Sequence, residues 1–229
     1  MLLFDIPEPK IQEQKHDKRP KLKKGQTIND LINQSRKLVE EKLSDYKSKT
    51  TTFTTPQEIE NFFREAEQGT GVIGIDTETT GLNVFQDKLV GISLCNGVQA
   101  AYIPVEHISA IYRTRIPNQI NPNDLRKVFK NNIFNDKFKW VYHNAKFDLP
   151  VLYNFLGFQM PAPYWDTLIV AYVLDQNEDH GLKALYNKYI AEEDEGVNRF
   201  DTLFNGITFD NVPLDLSQVY ARQRCFNDL

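Results

Sequence analysis

Apolar positions along the chain fall into short, regularly bounded runs separated by polar turns. Val72 to Ile75, Leu89 to Cys95 and Gln99 to Pro104 are β-rich stretches of strand length, and the last two meet at the tight turn Cys95-Asn96-Gly97, a hairpin signal. A further strand is expected at 138–142, where Trp140-Val141-Tyr142 is apolar throughout. Helical spacing predicts a first helix from Thr27 or Asn29, with Ile28, Leu31, Ile32, Leu38, Val39 and Leu43 on one face, followed by a polar linker at 44–52. The folded body is expected from Phe53, with Thr55-Pro56-Gln57-Glu58 starting a helix through Phe62, Phe63 and Ala66. Later helices are predicted at 124–129, 145–156, 166–174, 181–190 and 216–227, and 191–213 reads as an irregular excursion. Strands placed early, with helices between and after them, predict an α/β fold with a mixed sheet.

A chain of 229 residues with 41% hydrophobic content can bury one core with appendages, so residues 53–229 are expected as one domain and residues 1–52 as a flexible arm with a short helix and a linker. Net charge is −4, but the first fifty residues hold twelve basic against eight acidic ones, which leaves the remainder at −8. The cluster Lys10, Lys15, Lys18, Arg19, Lys21, Lys23 and Lys24 reads as a solvated basic tail. No apolar run is long enough to span a bilayer, and Met1-Leu2-Leu3-Phe4-Asp5 is not a signal peptide, so a cytoplasmic, membrane-free protein is expected. Cys95 and Cys225 lack metal-ligand spacing and are expected as free thiols.

Candidate chemistry begins where the first strand ends. Asp76 and Glu78 are two residues apart, and in a strand such residues share a face, which lets two hard oxygen ligands converge on Mg²⁺ or Mn²⁺. His143-Asn144-Ala145-Lys146-Phe147-Asp148 follows the strand at 138–142, with Asn144 as the expected N-cap, and aims a third carboxylate, Asp148, at the same place. Asp166 reads as the N-cap of the helix at 166–174, and His180 lies in the loop before the next one.

Asp-x-Glu-Thr-Thr-Gly-Leu at 76–82, Asn-x-x-Phe-Asp at 144–148 and Ser-Gln-Val-Tyr-Ala at 217–221 together resemble the three exonuclease motifs of the DEDD superfamily. The subgroup they resemble is the tyrosine one, found in the proofreading domain of bacterial-type family A DNA polymerases. The resemblance covers residues 53 to 229, and its specificity lies in the order and spacing of the motifs. It implies a ribonuclease H-like three-layer fold with flanking helices, and 3′-5′ hydrolysis of phosphodiesters with two divalent ions about 3.5–4 Å apart. It further implies Asp76, Glu78 and Asp148 as metal ligands, Tyr220 as the group that orients water, and Thr79, Leu82, Asn144 and Phe147 as contacts to the 3′ end. The implied partners are a single-stranded or frayed 3′ end of DNA and a polymerase domain of the same, longer polypeptide, of which this chain would be a fragment.

One position departs from the family. Where its third motif has Asp four residues after the tyrosine, this chain has Arg224, a permanent cation that cannot ligate a metal. Asp228 cannot substitute, because eight residues along a helix is ~12 Å of rise. Weakened activity is therefore one expectation. A catalytically degenerate domain that binds DNA or buttresses a polymerase is the alternative, beside an RNase D-like nuclease acting on RNA 3′ ends.

Overall fold

In a computed structural model of the chain the described residues are 22–47, 51–133, 136–190 and 200–227, with backbone alone for 44–47 and 223–227. Among them six strands form one mixed sheet, β1 (Thr51–Thr52), β2 (Val72–Thr79), β3 (Leu89–Cys95), β4 (Ala100–Pro104), β5 (Lys139–Tyr142) and β6 (Trp165–Asp166), in the spatial order β1-β4-β3-β2-β5-β6. The helices are α1 (Ile28–Lys47), α2 (Pro56–Gln68), α3 (Pro122–Asn132), α4 (Ala145–Leu156), α5 (Thr167–Leu174), α6 (Leu182–Tyr189), α7 (Phe200–Leu203) and α8 (Leu214–Asn227), with a 3₁₀ turn at Phe209–Asn211.

β2, β3 and β4 run as an antiparallel meander, whose last turn is held by Asn96 Oδ1 accepting from Val98 N–H (3.0 Å) and Gln99 N–H (2.9 Å). β5 and β6 add in parallel after helical crossovers. β2 is central, so it is buried on both faces and reads as an almost unbroken buried run from Ile73 to Glu78. Alternation then sorts its residues: Ile73 and Ile75 join the core beneath α2, α3 and α4, with Phe62, Phe63, Phe129 and Trp140 packed edge to face. Asp76 and Glu78 take the opposite face. There a second core joins Val90 and Tyr102 of the sheet to Leu31, Val39 and Leu43 of α1, to Phe204 and Phe209, and to Val219 and Tyr220 of α8. The result is the α/β three-layer arrangement predicted above.

The helix start at Thr55 is a capping box with Glu58, as its sequence predicts. Several expectations change. Within the expected linker at 44–52, α1 continues to Lys47, past non-helical geometry at Leu43, and Thr51–Thr52 pairs with Ala101 and Tyr102 at the sheet edge, while 48–50 lie outside the described residues. α1 packs on α8, and Arg36 pairs with Asp215 across that contact. The excursion at 191–213 contains α7 and the 3₁₀ turn, both fixed by aromatic packing, whereas Glu192, Glu193, Asp194 and Glu195 lie outside the described residues. So does the basic tail up to Lys21, while Lys23 and Lys24 are exposed. Cys95 is buried; the Cys225 side chain lies outside the described residues. No helix among them is long and apolar enough to cross a membrane.

Candidate active site

β5 pairs with β2 only as far as Gly74↔Val141, so the edge of β2 beyond that point is open. α4 starts from the end of β5 into this gap. Asp148 uses it: Thr77 N–H, which meets no β5 partner here, donates to Asp148 Oδ1 at 3.0 Å, and Thr77 Oγ1–H donates to the same oxygen at 2.6 Å. Asp148 is thus tied to β2 although the two are 71 residues apart. β2 extends to Thr79, so Asp76 and Glu78 lie within regular strand and share its α8-facing side. All three carboxylates are almost fully buried, and all three line one cleft of about 540 Å³.

The same cleft is lined by Tyr220, Thr79, Leu82, Asn144 and Phe147, so it gathers all the residues that the resemblance implies as metal ligands, water-orienting group and 3′-end contacts. Tyr220 is 2% exposed, with its ring packed against Phe200, Phe204 and Phe209 at centroid distances of 5.7, 5.7 and 6.0 Å. Leu82, at 88% exposure, stands at the rim. Thr79 Oγ1–H donates to the Gly81 carbonyl at 2.6 Å and closes the turn that carries Leu82. Phe147 is partly buried against the main core.

Asn144 departs from expectation. It is the residue before α4, but its backbone is left-handed (φ 73°) and its side chain makes no cap bond. The cap comes instead from Asp166, which also caps α5 as predicted. His143, unassigned from the sequence, lines the cleft, and its Nδ1 lies 2.9 Å from Thr167 Oγ1. The same hydroxyl lies 3.3 Å from the Tyr142 carbonyl, which ties His143 to the start of α5 and the end of β5. Thr77 was also missed, since a threonine between two acids carries no signal that its amide will face another element. His180 Nε2 bonds the Asp175 carbonyl at 2.5 Å and stays outside the cleft.

The field of the carboxylates reaches neighbouring phenols. Burial first, and the charge of Glu78 second, push the Tyr102 hydroxyl well above its ordinary value. Burial and the charge of Asp148 do the same to Tyr142. Both phenols therefore stay protonated at any working pH.

The donor set is all carboxylate oxygen, which fits a hard divalent cation and not a thiophilic one. Among the described residues no group of three or more His, Cys, Asp or Glu side chains that could hold one metal ion is assembled. Asp76 and Glu78 reach the cleft from one face of β2, whereas Asp148 is held by Thr77 of the alternate position. Arg224 stands on α8 one turn beyond Tyr220, and its side chain lies outside the described residues, as does Asp228.

Residues 50–199 match the 3′-5′ exonuclease family associated with DNA polymerase A. DNA polymerase I of Borreliella burgdorferi is 31% identical over 176 residues, which is 76% of this chain but 18% of that protein. DNA polymerase I of Pseudomonas aeruginosa is 27% identical over 159 residues, 66% of this chain and 17% of that one. The chain thus spans under a fifth of the length of these relatives. Among solved structures, the Aedes aegypti Nibbler EXO domain has a TM-score of 0.55 at 11% identity, covering 78% of this chain and 83% of that one. Escherichia coli RNase D, an exoribonuclease, has a TM-score of 0.52 at 20% identity, covering 78% and 42%. At these identities the structural likeness concerns the fold alone.

Proposed function

Because the chain belongs to the DNA polymerase A-type 3′-5′ exonuclease family, a family of hydrolytic nucleases that use divalent metals, we propose that it trims 3′ ends of single-stranded or frayed DNA as the proofreading unit of a longer polymerase. One observation carries this reading: β2, α4 and α8, far apart in sequence, turn Asp76, Glu78, Asp148 and Tyr220 onto a single cleft. In this reading residues 53–229 form the nuclease body, and the helix within the 1–52 arm braces α8.

Asp76, Glu78 and Asp148 would hold Mg²⁺ or Mn²⁺. A bound divalent cation supplies a more acidic water and stabilises charge on the phosphate oxygens. The protein's own groups do the rest. Tyr220, immobilised by three phenylalanine rings, orients the attacking water from a fixed hydroxyl. Phe147 offers an aromatic face to a base without reading its identity. Leu82, exposed on its closed turn, wedges against the terminal bases, while Thr79 and Asn144 hold the terminal nucleotide.

Arg224 favours a second reading, a domain that binds the 3′ end and cuts slowly or not at all, because one carboxylate of the family pattern is absent. A nuclease assay on 3′-labelled single-stranded DNA, with Mg²⁺ and Mn²⁺ and with a matched RNA, separates the readings. Cleavage from the 3′ end that falls by about 100-fold or more in Asp76→Ala, and rises in Arg224→Asp, is expected. Cleavage unchanged in Asp76→Ala sinks the site assignment. DNA binding without cleavage in both the parent and Arg224→Asp selects the second reading, and preference for RNA selects an RNase D-like role.

A further inference from the structure

Asp166 does more than its position before α5 requires. Its Oδ1 accepts from Leu168 N–H (3.1 Å) and Ile169 N–H (3.3 Å), the ordinary cap of the helix it precedes. The same Oδ1 accepts from Asn144 N–H at 3.0 Å, and Oδ2 accepts from Ala145 N–H at 2.8 Å. One carboxylate therefore answers the amides at the starts of two helices, and its charge faces the positive ends of both.

The consequence falls on Asn144. A residue that caps its own helix turns its side chain back onto the helix amides and cannot present it elsewhere. Here the cap is delivered from β6, 22 residues away, and the Asn144 side chain, carried on left-handed backbone, lines the cleft. One turn further along α4, Asp148 meets Thr77. We propose that Asp166 is a positioning residue of the exonuclease site: it fixes the start of α4, which frees Asn144 for the terminal nucleotide and sets Asp148 against β2. The proposal rests on the nuclease reading of the cleft.

Asp166→Asn isolates the effect. Asparagine caps a helix about as well as aspartate, and a retained Oδ1 keeps α5 capped. The amide nitrogen that replaces Oδ2 meets Ala145 N–H donor to donor, so α4 loses the bond to its first amide and keeps only that from Asn144 N–H to Oδ1; a flipped amide serves neither helix better. Hydrogen exchange should show the Ala145 amide opening about tenfold faster while Leu168 and Ile169 keep their protection, whereas Asp166→Ala should release both helices. Assayed well below its unfolding temperature on 3′-labelled single-stranded DNA, Asp166→Asn should raise KM and lower kcat, each by about tenfold.

Equal loss of protection at both helices, or unchanged kcat and KM in the folded variant, would overturn the proposal and leave Asp166 a stabilising cap. Should the parent chain not cleave, the nuclease reading fails separately. Anisotropy of a fluorescent single-stranded oligonucleotide in Ca²⁺ then decides, with weaker binding in Asp166→Asn expected and equal binding contradicting the positioning role.

Discussion

Thr77 shows how one side chain sets the geometry of a site it does not chemically join. Its amide and hydroxyl both end on Asp148 Oδ1, so the helix carboxylate is oriented by the strand between the two strand carboxylates. Thr77→Val keeps the branched shape and the amide bond but removes the hydroxyl donor to a charged acceptor. A loss of about 1–3 kcal/mol in stability is expected, with nuclease activity reduced by about tenfold, read by chemical denaturation and by the 3′-trimming assay. Unchanged trimming would mean that the amide alone holds Asp148. Strand and helix offsets make Asp76, Glu78 and Asp148 legible as one set, whereas Tyr220 and Asn144 are legible as site residues only through the motif resemblance. Local spacing misplaces the cap of α4 on Asn144, since the cap comes from Asp166, and single-chain spacing carries no trace of a partner 22 residues away.

Among elements, the register of β2 against β3 sets Glu78 opposite Gly91, and the Tyr102 ring of β4 lies over that glycine. A Cβ at position 91 would collide with the Tyr102 ring and hydroxyl, both fully buried. Gly91→Ala should therefore cost about 1–3 kcal/mol by overpacking and displace the strand pair that presents Glu78, so thermal unfolding should shift downward and trimming should weaken together. A melting temperature equal to the parent's would show that Tyr102 can withdraw. The long strands and amphipathic helices were readable from periodicity, and the Thr55 capping box from its residues. β1 and β6, two residues each, have no period to read; they exist because a neighbouring strand offers its edge. α7 and the 3₁₀ turn were likewise hidden, since Phe200, Phe204 and Phe209 gain their order from one another and from Tyr102, His107 and Tyr220 of other elements.

At the scale of the whole molecule, His107 links the sheet to the segment that leads into the last helix. Its Nδ1 lies 3.1 Å from the Val212 carbonyl, which can only accept, so the proton sits there and Nε2 accepts from Tyr102 O–H at 2.6 Å. Burial lowers its pKa from 6.5 to about 4, against a smaller upward pull from Val212. In the unfolded chain the ring takes a proton below pH 6.5, whereas the folded protein resists until about pH 4, so the unfolded state binds more protons in this window. Stability should fall as pH drops from 6.5 toward 4, by about 3 kcal/mol in all. Urea midpoints measured across that range should slope downward toward acid, and His107→Gln should flatten the slope; parallel slopes would assign the acid sensitivity to other groups.

The contact of α1 with α8 also orders the steps by which the cleft is built. During synthesis the β2-β3-β4 meander is a local structure that can form as soon as it emerges, and it carries Asp76 and Glu78 with it. The apolar stripe of Leu31, Val39 and Leu43 emerges earlier still, yet its partner helix comes after the whole sheet and brings Tyr220. A growing chain therefore holds an early helix uncovered and an acidic pair without its tyrosine until α8 arrives. Docking of α8 on α1 and closure of the cleft around Asp76, Glu78 and Tyr220 become one event.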